Sequence, residues 1–257
     1  MKLVDSHCHI HDPEFYPDSA QQVYDRAVES EVYMLIVGTS ELSSRQAIEF
    51  ANAHDQASAI VGVHPHDVKN GWNGIKELTD SSNVVGIGEI GLDYYYDNSP
   101  RDLQRQALEE QLQLARDRDL PVSFHVREAQ DVASGSVWDD FWPIVDNFLG
   151  IDGVLHSFTD TAEQLERGFV RNLYVGVNGI ATFTKDNAQR QMYASIPLEK
   201  MLLETDAPFL TPHPLRGKVN ESTFVWEVAK SVAAQKNVPL SVVCDLTTKN
   251  ARTLYRF

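Results

Sequence analysis

The sequence predicts a single α/β domain over residues 1–257, a (β/α)8 barrel of the TIM type. Three observations predict it. Short apolar runs recur eight times and alternate with helix-like segments. Most of the runs are almost continuously apolar, as expected of strands covered on both faces of a parallel sheet. No Pro/Gly/Ser-rich linker, composition shift or internal repeat beyond the βα alternation divides the chain, and its length suits one barrel.

In chain order the strands are expected at 2–5, 33–37, 59–63, 84–88, 122–125, 153–156, 173–177 and 201–204. Segment 24–29 belongs to a first helix and 41–53 forms a second. The clearest helix is 99–118, with Leu103, Ala107, Leu108, Leu112 and Ala115 on one face. It opens on Ser99 as a cap with Pro100 in the first turn, and it stops before Pro121. Segments 138–148, 161–168, 187–194, 224–236 and 240–255 complete the helices.

A hydrophobic fraction of 42% supports a sizeable core. The 22 basic and 37 acidic residues give a net charge of −15, which excludes a broad basic surface for nucleic acid. A phosphate-bearing substrate would have to be held by a local positive centre. No apolar run is long enough to span a bilayer, so no membrane partner is expected. The chain opens on a short strand and Asp5 rather than on a signal peptide. Cys8 and Cys244 are too few for a disulfide framework, so a reducing, cytoplasmic location is expected. The sequence leaves the oligomeric state open, and a monomer is compatible with it.

The chemistry begins at Asp5-Ser6-His7-Cys8-His9. Alternate side chains of a strand share a face, so His7 and His9 aim two imidazoles at one point. Cys8, between them, is read as a buried packing residue. The other metal-ligand types also fall at strand ends. Glu89 ends strand four, His125 strand five and His156 strand six, while Asp206 follows strand eight. His64 and His66 follow strand three. Six of nine histidines sit at strand ends; His11, His54 and His213 do not. In a closed barrel those ends converge on one mouth.

Four imidazoles and two carboxylates exceed the three or so protein ligands that one ion with an open position requires. They suit two divalent ions. His7, His9, Glu89 and Asp206 would hold one, Glu89, His125 and His156 the other, with Glu89 as the bridge. The alternatives are Glu89 paired with Arg127 and Asp206 as a helix N-cap. Water between the ions would be activated for attack, with Asp206 orienting it and taking its proton. Imidazole ligands favour zinc, manganese, cobalt or nickel over magnesium.

Gly86-Ile87-Gly88-Glu89-Ile90-Gly91 matches G-x-G-x-x-G, but a dinucleotide fingerprint should enter a helix. Here 92–97 reads as loop, on the fourth strand rather than the first βα unit, so no nucleotide cofactor is expected.

These residues resemble the TatD family of metal-dependent deoxyribonucleases, within the amidohydrolase-like metal barrels. The matching stretches are 5–9, Gly62-Val63-His64-Pro65-His66, 88–94, 121–129 with His125 and Arg127, 153–158, 203–208 and Arg216-Gly217-Lys218-Val219-Asn220-Glu221. The resemblance implies a barrel that hydrolyses DNA phosphodiesters, chiefly in single strands or frayed ends and from the 3′ end. It implies His7, His9, Glu89, His125, His156 and Asp206 as metal ligands and keeps magnesium in the set of candidate ions. It also implies that His64 and Arg216 lie near the substrate, beside the metals rather than on them. His64 could then donate a proton or bond a phosphate, or merely fix the loop before Pro65. Arg127 and Arg216 could grip phosphates or form salt bridges. Lys185 and Lys218 are weaker candidates. Residues 94–96 and Phe183 could stack bases or simply pack. Asp160, Val126 and Ser222 stand where the family often has a small residue, a serine and a proline. These departures touch the rim, not the ligands. A competing reading, an amidohydrolase or esterase for a small molecule, needs the same barrel and ligand set.

Overall fold

Eight strands pair in parallel and in chain order: β1 (Leu3–Cys8), β2 (Val32–Val37), β3 (Ala57–Val61), β4 (Val84–Asp93), β5 (Val122–Arg127), β6 (Gly153–Leu155), β7 (Tyr174–Val177) and β8 (Met201–Leu203). The computed structural model describes residues 2–257; Met1, included in the domain expected over 1–257, lies outside the described residues. The barrel is nearly closed. β8 meets β1 through a parallel bridge between Cys8 and Ala207, where His9 N donates to Ala207 O (2.8 Å) and Asp206 N to His7 O (2.9 Å). The fold is the expected single-domain α/β barrel. Its helices are α1 (Ala20–Glu29), α2 (Glu41–Ala53), α3 (Ile75–Leu78), α4 (Arg101–Arg118), α5 (Val137–Asp146), α6 (Ala162–Val170), α7 (Ile180–Phe183), α8 (Asn187–Ser195), α9 (Val225–Lys236) and α10 (Leu240–Tyr255). Among the described residues no helix is long and apolar enough to cross a membrane.

Alternation along the strands separates two apolar clusters. Leu3, Cys8, Ile36, Ile87, Ile90 and Leu92 face outward, where they pack with helix residues such as Leu108 and Trp142. Val4, Leu35, Val37, Ile60, Val154 and Leu202 form a second cluster inside the barrel, stoppered by Ala251, Leu254 and Tyr255 of α10. Cys8 is buried against Leu35 O and packs as expected.

Strict alternation would misplace the functional residues. In β1, Leu3 and Cys8 both face outward although they are an odd number apart. In β4 the same holds for Ile87 and Ile90. Each strand therefore slips its parity just below the mouth, where the register shifts between Asp5 and Cys8 and between Ile87 and Ile90; β4 shifts once more at its foot, against β3. Beyond the slip, His7 and His9 turn inward on β1, and Glu89, Gly91 and Asp93 turn inward on β4.

Two sequence expectations change. β4 extends through Leu92 and Asp93, read from sequence as loop, because they pair with Val126 and Arg127 of β5. Ser99 does not cap α4, which starts at Arg101; its hydroxyl instead donates to His66 O (2.8 Å) and ties that loop to the mouth. Helices α3 and α7 span four residues each, too few for an apolar period to show in sequence.

At Gly91 the backbones of β4 and β5 approach so closely that a Cβ would overlap the carbonyl oxygen of His125. Gly91→Ala is expected to cost about 1–3 kcal/mol and to lower Tm by roughly 3–8 °C. An unchanged thermal unfolding curve would show that the two strands separate freely there.

Candidate metal centre

The strand ends bring His7, His9, Glu89, His125, His156 and Asp206 to one point at the C-terminal mouth. A cavity of about 670 Å³ opens there, lined by His9, His64, Glu89, His125, Arg127, His156 and Asp206 among others. Glu89 lies at the centre with its two oxygens facing different partners. Its Oε2 is 3.3 Å from His7 Nε2 and 3.9 Å from His9 Nε2. Its Oε1 is 2.7 Å from His125 Nδ1, 3.6 Å from His64 Nε2 and 3.7 Å from His156 Nε2. Asp206 Oδ1 closes the other side, 3.4 Å from His9 Nε2, 3.7 Å from His156 Nε2 and 3.9 Å from His7 Nε2. Neither alternative pairing occurs: Glu89 faces histidines rather than Arg127, and no helix begins at Asp206.

These distances fit shared cations. Two donors each about 2.1 Å from one ion lie roughly 3–3.5 Å apart. Three donor sets fall within 4.8 Å: His7, His9 and Glu89; His7, His156 and Asp206; and His64, Glu89 and His125. His7 Nε2 is wholly buried without a hydrogen-bond partner among the described residues, although it points at the carboxylates. A buried orphan nitrogen is costly unless a further group meets it.

The nitrogens facing away from the centre explain how the rings are aimed. His9 Nδ1 meets Val37 O (2.7 Å), His156 Nδ1 meets Glu204 Oε1 (3.0 Å) and His7 Nδ1 meets Ser123 Oγ (3.3 Å). The carbonyl at His9 Nδ1 fixes the proton there and leaves the Nε2 lone pair directed inward, the arrangement of ligating histidines, and the Glu204 charge favours the same form of His156. His125 is held at both ends, by Glu89 and by Asp93 Oδ2 (3.0 Å), and Asp93 also takes His66 Nε2 (2.9 Å). His64 differs: its Nδ1 accepts the backbone N–H of His66 (3.1 Å). That bond fixes the loop before Pro65, while Nε2 still faces Glu89.

Burial opposes charge throughout the cluster, yet the carboxylates prevail over three of the rings, with Asp206 and Glu89 raising His9. Glu204 and Glu89 push His156 up to about 10, and Asp93 and Glu89 push His125 up to about 9. Burial also resists ionisation of Glu89, but His64, His156 and His7 hold it well below the usual carboxylate range. Asp206 is likewise lowered against burial, chiefly by His9 and His156. Burial and neighbouring His156 lower His7; burial and His125 lower His64 further. A pocket that draws protons onto three buried rings is one in which added positive charge is stabilised.

Of the two arginines singled out, Arg127 lines the cavity, with its guanidinium 4.4 Å over the Tyr95 ring and 4.9 Å over Tyr96. Arg216 does not line it. It lies 4.0 Å over Phe183 and donates to Thr211 O (2.8 Å) rather than to a carboxylate. Asp160, a departure at the rim, accepts from Trp138 Nε1 (2.9 Å) and anchors α5. Sequence reasoning missed the roles of Asp93 and Glu204. Their signal was spacing: Asp93 is four residues beyond Glu89 on one strand face, and Glu204 is two residues before Asp206.

A family model described as TatD related DNase matches residues 4–256. The chain is 33% identical over 261 residues to the uncharacterized metal-dependent hydrolase YabD of Bacillus subtilis, covering 99% of each. It is 36% identical over 233 residues to the 3′-5′ ssDNA/RNA exonuclease TatD of a Rahnella species, covering 86% of each. The crystal structure of YJJV, a TatD homologue from Escherichia coli K12, superposes with a TM-score of 0.88 at 26% identity, covering 100% of this chain and 98% of that one.

Asp93→Asn and Glu204→Gln should each weaken divalent-metal binding about 10–100-fold, because each frees an imidazole that a carboxylate now orients. Calorimetric titration with zinc or manganese checks this. Wild-type affinity in both variants would deny these carboxylates a positioning role.

Proposed function

The chain belongs to the family of TatD-related DNases, and on that premise we propose that it is a two-metal nuclease trimming single-stranded or frayed DNA from the 3′ end. The observation that carries the reading is the division of Glu89, one oxygen toward His7 and His9, the other toward His125 and His156. We assign His7, His9, Glu89 and Asp206 to one divalent ion and Glu89, His125 and His156 to the second. Zinc, manganese, nickel, cobalt and magnesium are the candidates. When bound, the two ions would neutralise phosphodiester charge and lower the pKa of water.

The chain's own groups supply the rest. Asp206, ionised at neutral pH, orients the attacking water and accepts its proton. The neutral His64 ring, with Nδ1 accepting from His66, carries its hydrogen on Nε2 and hydrogen-bonds the leaving oxygen, which takes its proton from water. Arg127 faces the cavity and grips a phosphate. Arg216, outside the cavity, reaches only a longer substrate. Cys8 and Cys244, both free, suit a reducing compartment, and we place the enzyme in the cytoplasm.

Chelation should abolish digestion of an end-labelled single-stranded oligonucleotide, and added manganese or zinc should restore it. An RNA oligonucleotide and cyclic amides complete the panel; turnover of amides alone would establish the small-molecule reading instead. Glu89→Ala should lower activity by more than about 100-fold, beyond the usual loss of a supporting group, and should lower bound metal. Two full equivalents of metal in that variant would rule out the bridge. Arg127→Ala should raise KM about tenfold for oligonucleotide and small diester alike, the loss of one charge-assisted bond. Arg216→Ala should raise it for the oligonucleotide only.

A further inference from the structure

Two phenyl rings stand exposed at the mouth without a role in the metal chemistry. Phe15 and Phe209 are 39% and 47% exposed and meet edge to face, with centroids 5.1 Å apart. Phe209 lines the same cavity as Glu89. We propose that Phe15 and Phe209 form a stacking station for a nucleobase next to the scissile phosphate. The proposal rests on the nuclease reading and names the feature of the substrate that this edge of the site recognises, an unpaired base.

Both rings are held outward by backbone anchored at one buried residue. Asn220, fully buried, donates its side-chain amide to Phe209 O (2.6 Å) and Thr205 O (2.9 Å). Its own carbonyl accepts from Tyr16 Oη (2.5 Å), next to Phe15. Phe209 N donates to Asp206 O (2.8 Å), so the ring follows the carboxylate by one tight turn. Leu210 O packs so closely on Gly179, just after β7, that no Cβ would fit between them. Flexible loops could fold these rings under; loops fixed in this way cannot.

The barrel order places a second aromatic pair across the mouth. Phe15 follows β1 and Phe209 follows β8, half-way round from β4 and β5. On that far side Tyr95 and Tyr96 stand 38% and 52% exposed beneath Arg127. A strand laid from one pair to the other passes over Glu89. Every base has a π face, so stacking gives affinity without sequence preference. It also needs no charge, which matters on a surface with a net charge of −15 that repels phosphates at long range. Bases inside a duplex keep their faces covered, so the station selects single strands and frayed ends.

The test compares two single-stranded oligonucleotides that differ only in an abasic site at the penultimate 3′ nucleotide. Wild-type protein should show a KM about tenfold higher for the abasic strand. In Phe209→Ala, and in Phe15→Ala/Phe209→Ala, the two KM values should converge. Phe209→Leu, which keeps apolar bulk without an aromatic face, should behave in the same way and guards against loss of fold. A persistent tenfold difference in all three variants would overturn the proposal. A 2-aminopurine oligonucleotide with non-cleavable linkages, titrated with metal present, reads stacking without turnover: wild type should quench it and Phe209→Leu should not. Quenching by a wild type that cleaves no oligonucleotide would defeat the nuclease reading and leave the station standing. Absent quenching from an active wild type would defeat the station alone.

Discussion

A carboxylate sunk among imidazoles sets the terms for the whole mouth. Removing one charged group from water costs several kcal/mol unless partners repay it. Glu89 is 4% exposed and meets histidines through both of its oxygens. Those partners come from β1, β5 and the loops after β3 and β6, which no local stretch of chain could bring together. Only closure of the sheet does so, and the bridge from Cys8 to Ala207 supplies it beside the ligands themselves. Below the cluster, the apolar plug from Val4 to Tyr255 keeps water from the barrel's foot. The charges therefore interact across a medium of low polarity, where both their attraction and the penalty for an unmet group are large.

The two parity slips follow from the same constraint. A regular β1 that packs Leu3 outward and Val4 inward would send His7 toward the helices. A regular β4 that packs Ile87 outward would do the same with Glu89. Each strand must serve an apolar interior at its foot and a polar mouth at its head, and each changes phase between the two. The cost is a locally broken ladder. The gain is that Glu89, Gly91 and Asp93 line up on one face, so the central carboxylate and the carboxylate that steadies His125 come from one strand.

Much of this was legible before folding. His7 and His9 are recognisable by their alternation, and the other donors by their position at strand ends, since barrel topology alone sends those ends to one place. The rest required neighbours distant in sequence. Asp93 looked like a loop residue because its strand pairing with Arg127 has no apolar signature. Ser99 looked like a cap because its true acceptor, His66 O, lies thirty-three residues away. Arg127 and Arg216 looked alike as lone cations near motifs. Packing separates them, setting one over Tyr95 and Tyr96 at the cavity and the other over Phe183 outside it. Phe15 and Phe209 carried no signal, because a single exposed apolar residue is ordinary until another touches it.

Distance alone would not divide the histidines into the proposed metal ligands and a hydrogen-bond donor to substrate. His64 Nε2 and His156 Nε2 lie 3.6 and 3.7 Å from the same oxygen of Glu89. Their far nitrogens decide the matter. Glu204 stands 3.0 Å from His156 Nδ1 as an ion-pair partner, so its charge favours hydrogen on that nitrogen and a lone pair at Nε2. The His66 N–H beside His64 Nδ1 donates, so that nitrogen must be bare and Nε2 carries the hydrogen. Binding a cation at His64 Nε2 would require moving the proton to Nδ1, against the His66 N–H. The stranded donor would cost about 1–3 kcal/mol. One backbone amide thus separates a ring suited to metal from a ring suited to hydrogen-bonding a leaving oxygen, though both look at the same carboxylate.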